Sequence, residues 1–242
     1  MTTKCEDCPL RRLDVFKEFS KDELIFMDRF KTGELIAQPG TEVLAQDASS
    51  TQLYTALSGM GLRHKTLEDG SRQVVGFVLP GDFVGLQTGV MDVMRHSVEA
   101  TTQMTLCVFN RSEIWSLFKN QPQRAFALTH LAAQEESLLG EALTAVGQLD
   151  GMGKVAWALH RFFTRLTALD LNSNGRVPMP YRQQDLADAL GLSLVHTNKT
   201  LAKLRDKGIA SWSDDDLVVH DEARLAQLAH VGSEEAKPRP LI

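Results

Sequence analysis

The stretch QQDLADALGLSLVHTNKTLAKLR, residues 183–205, constrains this chain more than any other. Leu186, Ala187 and Leu190 recur at helical spacing, and Gly191-Leu192-Ser193 supplies a tight turn that ends in a helix-capping residue. In the helix that follows, Thr197, Leu201 and Leu204 share one face, while Val195, His196, Asn198, Lys199, Ala202 and Lys203 fall on the others. Two short helices joined by a turn, the second showing small, amide and basic groups outward, spell a helix-turn-helix with its recognition helix. The formal net charge of −5 argues against a nucleic-acid partner only if charge is taken over the whole chain. Residues 151–213 carry nine Lys or Arg against four Asp, a local charge of +5, so the acidity lies elsewhere.

With 242 residues, 43% of them hydrophobic, the chain can build real cores. No apolar run approaches the roughly 18 residues of a membrane span, and the N-terminus MTTKCEDCPLRR lacks the apolar stretch of a signal peptide, so a cytoplasmic location is expected. Three cysteines make no disulfide framework and read as thiols in a reducing compartment.

Taken in order, residues 1–20 form an N-terminal cysteine-containing segment, and a helix over Lys21 to Phe30 opens the next part with Ser20 as its cap. From Thr32 to Phe109, short apolar runs alternate with turns at Gly33, Pro39-Gly40, Asp47 to Ser50, Ser58-Gly59, Glu68 to Gly70 and Pro80 to Asp82. This texture predicts about eight strands in a jelly roll, a sensor domain over 21–120. Helical spacing returns and holds over 121–150, where Leu128, Leu131, Leu138, Ala142, Ala145 and Leu149 form a near-heptad stripe, interrupted by Glu135 and widened by Leu139, Leu143 and Val146, that is expected to be a dimer interface. Gly151 and Gly153 then mark a hinge. Residues 151–231 form the winged helix-turn-helix, with a β-hairpin wing turning at Asp214 to Asp216, and 232–242 are expected to be a flexible tail. The fold class is α+β: a β-roll, a long dimerisation helix and a winged helix-turn-helix.

That assembly resembles the Crp/Fnr superfamily of bacterial transcription regulators over roughly residues 15–230. The matching blocks are GELIAQPGTEV, then LYTALSGMGLRH with DGSRQVVGFVLPGDFVGL, then QQDLADALGLSLVHTNKTLAKLRDKGI, and LPGDFVGLQ with CPLR looks most like the Fnr/FixK branch. The resemblance implies a cyclic-nucleotide-binding-like roll, a homodimer on palindromic double-stranded DNA and contact with RNA polymerase. It places Val195, His196, Asn198 and Lys199 at the bases, and Arg182, Gln183, Ser193, Lys203 and Lys207 at phosphates. Val195 and Lys199 stand where the family commonly has a Glu and an Arg. Lysine is a single point donor where arginine would grip guanine with two hydrogen bonds, so the family's usual half-site does not carry over.

Three ligands have precedents in that family. Cyclic AMP is disfavoured, because Arg95 stands near the right place without the small-residue phosphate cradle. A [4Fe–4S] cluster would take Cys5, Cys8 and Cys107, with Asp14 where a third N-terminal cysteine is expected; the alternative is a buried strand thiol and a CxxC that is inert or scavenges zinc. Haem would use His64 or His96 as axial ligand, yet the seven histidines show no spacing signal. A cupin-like metalloenzyme fused to a helix-turn-helix would need clustered histidines in the roll, which offers only those two, and no Ser/His/Asp set or phosphate loop is evident, so no enzyme is expected.

Overall fold

The computed structural model describes residues 2–232 and 238–242. The chain divides into two compact units, residues 1–136 with 238–242, and residues 137–237.

In the first unit two single-turn 3-10 helices, Cys5–Asp7 and Pro9–Arg12, precede α1 (Lys21–Phe30). Ser20 caps α1 reciprocally: its hydroxyl accepts from the Glu23 amide, and the Glu23 carboxylate accepts from the Ser20 amide at 2.8 Å. The strands are β1 (Lys31–Ala37), β2 (Glu42–Leu44), β3 (Gln52–Ser58), β4 (Gly61–Thr66), β5 (Arg72–Val78) and β6 (Phe83–Val84). After α2 (Leu86–Met91) come β7 (Ser97–Ala100), β8 (Met104–Asn110), α3 (Ile114–Asn120) and α4 (Pro122–Gln148), which continues into the second unit. The eight strands form two antiparallel sheets, β1-β8-β3-β6 and β2-β7-β4-β5. They are the expected roll.

Alternation along β8 sorts its side chains between two cores. Met104, Leu106 and Val108 join Leu44, Tyr54, Val78 and Val98 between the sheets. Cys107 and Phe109 point the other way and join Met27, Phe30, Ile114, Leu117, Leu128 and Leu131 beneath α1, α3 and the start of α4. The Phe30 and Phe109 rings stack at 5.1 Å.

The tail departs from expectation. Residues 233–237 lie outside the described residues, but residues 238–242 are seated in the first unit with Leu241 and Ile242 buried. Two aliphatic residues and an arginine at the end of a polar stretch carry enough apolar area and charge to dock, which composition by window does not register.

The second unit continues with α5 (Gly151–Ala168), β9 (Arg176–Pro178), α6 (Gln183–Leu190), α7 (Leu194–Asp206), β10 (Ala210–Ser213), β11 (Asp216–Val219) and α8 (Glu222–Leu228). One face of α5, with Val155, Leu159, Phe162, Phe163 and Leu166, forms its core. Strands pair in the order β10-β11-β9, and Asp214 and Asp215 take positive φ at the wing's turn. Gly151 and Gly153 do not break a helix. Both lie in the first turn of α5, where the Asp150 carboxylate accepts from the Gly153 amide at 2.8 Å. Their small size serves close approach. A Cβ on Gly151 would meet the His196 ring, and one on Gly153 would crowd Leu149 and the Leu228 carbonyl. The interruption between α4 and α5 is at Leu149 and Asp150. No helix among the described residues is long and apolar enough to cross a membrane.

Candidate nucleic-acid interface and thiol cavity

The turn of the helix-turn-helix is made by Gly191, left-handed at φ 62°, which ends α6 through its amide bond to Ala187 O. Ser193 then caps α7 by accepting from the His196 amide at 3.2 Å. On α7 the residues Thr197, Thr200, Leu201 and Leu204 are buried. The two threonine hydroxyls donate back to Ser193 O at 3.2 Å and His196 O at 2.9 Å, so their burial leaves no donor unsatisfied. Val195, His196, Asn198, Lys199 and Lys203 are all exposed, and Val195 is 63% exposed despite being apolar. The helix therefore presents outward the side chains that periodicity assigns there.

The neighbouring candidates differ in availability. Lys207 is exposed at the end of α7, and Gln183 is half-buried at the start of α6. Arg182 is already engaged: its guanidinium bonds the buried Asp185 carboxylate at 2.8 and 3.2 Å, and its amide bonds the same carboxylate at 2.9 Å. That pair fixes the entry to α6 and leaves Arg182 a weakened phosphate ligand. The spacing of Arg182 and Asp185, residues N-cap and N3 of α6, is the signal that could have shown this. At the wing, exposed Asp214 and Asp215 put negative charge on the tip, which phosphate oxygens repel.

In the first unit, Cys5, Cys8 and Cys107 line one cavity with Lys31, Thr55, Phe109, Leu241 and Ile242. Lys31 bonds the Glu34 carboxylate at 2.7 Å and donates to Thr3 O. Burial pushes the Cys5 thiol up to about 12 and the Cys107 thiol up to about 11, against a downward pull from the Lys31 ammonium on both. The three sulfurs that the resemblance paired are thus brought together. Asp14 is not among the residues that line the cavity.

These residues do not fit a [4Fe–4S] cluster. Such a cluster takes four ligands, normally thiolates; three thiols line the cavity, and among the described residues no fourth Cys, His, Asp or Glu lines it beside them. The cavity, about 30 Å³, has room for a few waters. Among the described residues no group of three His, Cys, Asp or Glu side chains is placed to hold a metal ion. For a cyclic nucleotide, Arg95 points the wrong way: it is exposed and pairs with Asp47 at 3.2 Å. Arg63 is a buried cation of the roll, bonded to Glu135 and to Phe83 O. His64 lies 3.7 Å from Glu99, and its Nδ1 is buried without a partner; His96 is half-buried, and burial with the Arg63 charge holds it down to about 4. Neither ring lines the thiol cavity.

The stripe on α4 splits. Leu128 and Leu131 are spent on the first unit's own core, Ala145 is 3% exposed, and Leu138, Ala142 and Leu149 are half-buried. The side chains left open are Phe126 at 67%, Leu139 at 52% and Leu143 at 75%, with Ala132 and Ala133. Periodicity found the inward face. It could not say which apolar side chains a lone chain leaves uncovered.

A winged helix-turn-helix joined to a β-roll by a long helix defines a DNA-binding transcription regulator. Residues 153–228 match the Crp-like helix-turn-helix domain, and residues 34–121 match the cyclic nucleotide-binding domain. The nitrogen fixation regulation protein FixK of Bradyrhizobium diazoefficiens is 30% identical, with 93% of each chain covered. The transcriptional activator protein FnrL of Cereibacter sphaeroides is 30% identical over 97% of this chain and 95% of its own. The solved structure of FixK2 from Bradyrhizobium japonicum superposes with a TM-score of 0.72 at 25% identity, covering 84% of this chain and 98% of that one. The chain belongs to the Crp/Fnr family of transcription regulators, whose members bind DNA as dimers and contact RNA polymerase.

Proposed function

We propose that α7 enters the major groove with Val195, His196, Asn198 and Lys199 at base edges, and that Gln183, Ser193, Lys203 and Lys207 hold phosphates, with Arg182 a lesser contact because Asp185 occupies it. The observation that carries this is the division of α7 into a buried face of Thr197, Thr200, Leu201 and Leu204 and an open face of those readers. Asn198 can pair with adenine, Val195 can touch a thymine methyl, and Lys199 donates to guanine at one point. The half-site is therefore expected to be richer in A·T contacts than one read by an arginine. The acidic wing tip suits a protein partner such as polymerase better than the DNA backbone.

Two copies pair through α4 by the face that carries Leu139 and Leu143, rather than by Leu128 and Leu131. The chain acts in the cytoplasm as a regulator rather than an enzyme. The signal enters through the first unit, and a change in its packing on the first part of α4 shifts the population of dimers with correctly spaced recognition helices. No step is assigned to a cluster, haem or cyclic nucleotide, for the donor-set reasons given above. The test is a footprint on DNA selected from random sequence: a two-fold symmetric site about 20 base pairs long, with half-sites one helical turn apart, is expected. An asymmetric footprint, or binding unaffected by Lys199→Ala, would overturn the assignment.

A further inference from the structure

The segment Pro238–Ile242 is held in the first unit as a peptide ligand is held. Its backbone adds to residues 15–17 as a short parallel bridge: the Arg239 amide donates to Val15 O at 2.8 Å, and the Lys17 amide donates to Arg239 O at 2.9 Å. The Arg239 guanidinium lies over the Phe16 ring at 4.8 Å, donates to Gly81 O at 3.2 Å and Pro80 O at 3.3 Å, and pairs with the buried Asp82 carboxylate at 3.0 Å. Gly81, at φ 84°, makes room for this: a Cβ there would strike the Phe16 ring and approach the guanidinium. Further along, Arg124, fixed by Glu23 at 2.7 Å and stacked on Phe19, donates to Leu241 O at 3.1 Å, and Thr55 Oγ1 donates to Ile242 O. Leu241 and Ile242 are 4% and 5% exposed and form one wall of the cavity that holds Cys5, Cys8 and Cys107.

We propose that the first unit carries a binding site for a peptide of the type Arg-Pro-aliphatic-aliphatic, that the chain fills it with its own residues 239–242, and that this segment is a removable wall of the cavity that holds the Cys5 and Cys107 thiols. Each part of the site is specific to a peptide: an anionic pocket for the arginine, two side-chain donors for successive carbonyls and an apolar cup for two aliphatic residues. Two prolines flank the arginine, so little backbone freedom is lost on docking. The attachment is non-covalent and five residues long, so releasing it requires local opening and leaves the two sheet cores intact. This inference does not rest on the DNA-contact assignment.

The test compares the full chain, the chain shortened after Lys237, and full-length Arg239→Ala, with alkylation of each cysteine followed by mass spectrometry. Cys5 and Cys107 are both half-buried with the wall in place, so each has a basal labelling rate, which is expected to rise several-fold in the shortened chain and to an intermediate degree in Arg239→Ala. A labelled peptide Pro-Arg-Pro-Leu-Ile is expected to bind the shortened chain and restore protection, while the same peptide with Ala for Arg does neither. Should the shortened chain fail to fold, Arg239→Ala, which keeps the aliphatic wall residues, decides by the same labelling. Equal labelling of Cys107 in all folded forms, or a peptide that neither binds nor protects, overturns the proposal.

Discussion

The two units use the same basic side chains in opposite ways. In the first, cations are drawn inside and neutralised: Arg124 with Glu23, Lys31 with Glu34, Arg239 with Asp82 and Arg63 with Glu135, every cation of the four at most 14% exposed at its side chain. In the second, Lys199, Lys203 and Lys207 stand exposed on and beside α7. A buried, bonded cation fixes the position of an element, because leaving either partner alone in the interior costs far more than the pair gains. An exposed lysine fixes nothing and keeps its charge for an external polyanion, from which it releases counterions. Charge therefore locks the first unit and recruits a partner through the second.

The largest effect that would test this division is Arg124→Ala. It leaves Glu23 buried without its cation and removes the donor to Leu241 O, so a loss of about 3–5 kcal/mol is expected in chemical denaturation of the first unit. A loss below about 1 kcal/mol, the range of surface pairs, would show that the pair is not a lock. Next comes the face of α4. Leu143→Glu places a charge on the most open leucine and should weaken self-association at least about tenfold in sedimentation equilibrium, whereas the monomer's melting point should hardly move. If the dimer is unaffected, the two copies meet elsewhere.

Smaller again is the outward set. Lys203→Ala should weaken DNA binding evenly across sequences and lower the slope of log affinity against log salt by about 1, and Lys199→Ala should cost about 1–3 kcal/mol on the preferred site and relax one base position. An equal loss on all sequences for Lys199→Ala would move that residue to the phosphates.

What the sequence showed of these two regions follows from range. Ser20 with Glu23, Ser193 with the His196 amide, Gly191 at its left-handed turn and the Asp214-Asp215 wing tip are settled by residues within a few positions of each other, and each is where its local pattern puts it. The eight strands were legible from turns and apolar runs alone. The thiol cavity was half legible: the roll's alternation carries Cys107 to the sheet face that meets Cys5, but Asp14 is not drawn in and residues 238–242 are. Bringing the end of the chain to Val15, Thr55 and Asp82 is a contact across more than 150 positions, and no periodicity records it. The same holds for α4, where a stripe of leucines gives a face and only packing tells whether the chain itself has already covered it. Glycines misled for a related reason. Gly151 and Gly153 looked like flexibility because their neighbours, His196 and the Leu228 carbonyl, are distant in sequence.

A further effect concerns a charge that the first unit keeps out. Burial, the largest influence on His96, favours the neutral ring, and the Arg63, Lys65 and His64 charges act with it, while Glu135 alone opposes. Its value in the folded chain is held to about 4, below the ordinary 6.5. The contribution is therefore complete above pH 6.5 and is lost progressively as the pH falls toward 4, because the unfolded chain takes up the proton first. His96→Gln, which keeps a hydrogen-bonding side chain of similar length without the titration, should flatten the fall in denaturation midpoint between those two values while leaving the fall below pH 4 in place. Carboxylates such as Glu23, which burial raises but the Ser20 bonds and the Arg124 charge bring below the usual range, control the lower window. An unchanged slope in His96→Gln would mean that the ring is already open to water, and that the first unit excludes charge less strictly than its four locked pairs imply.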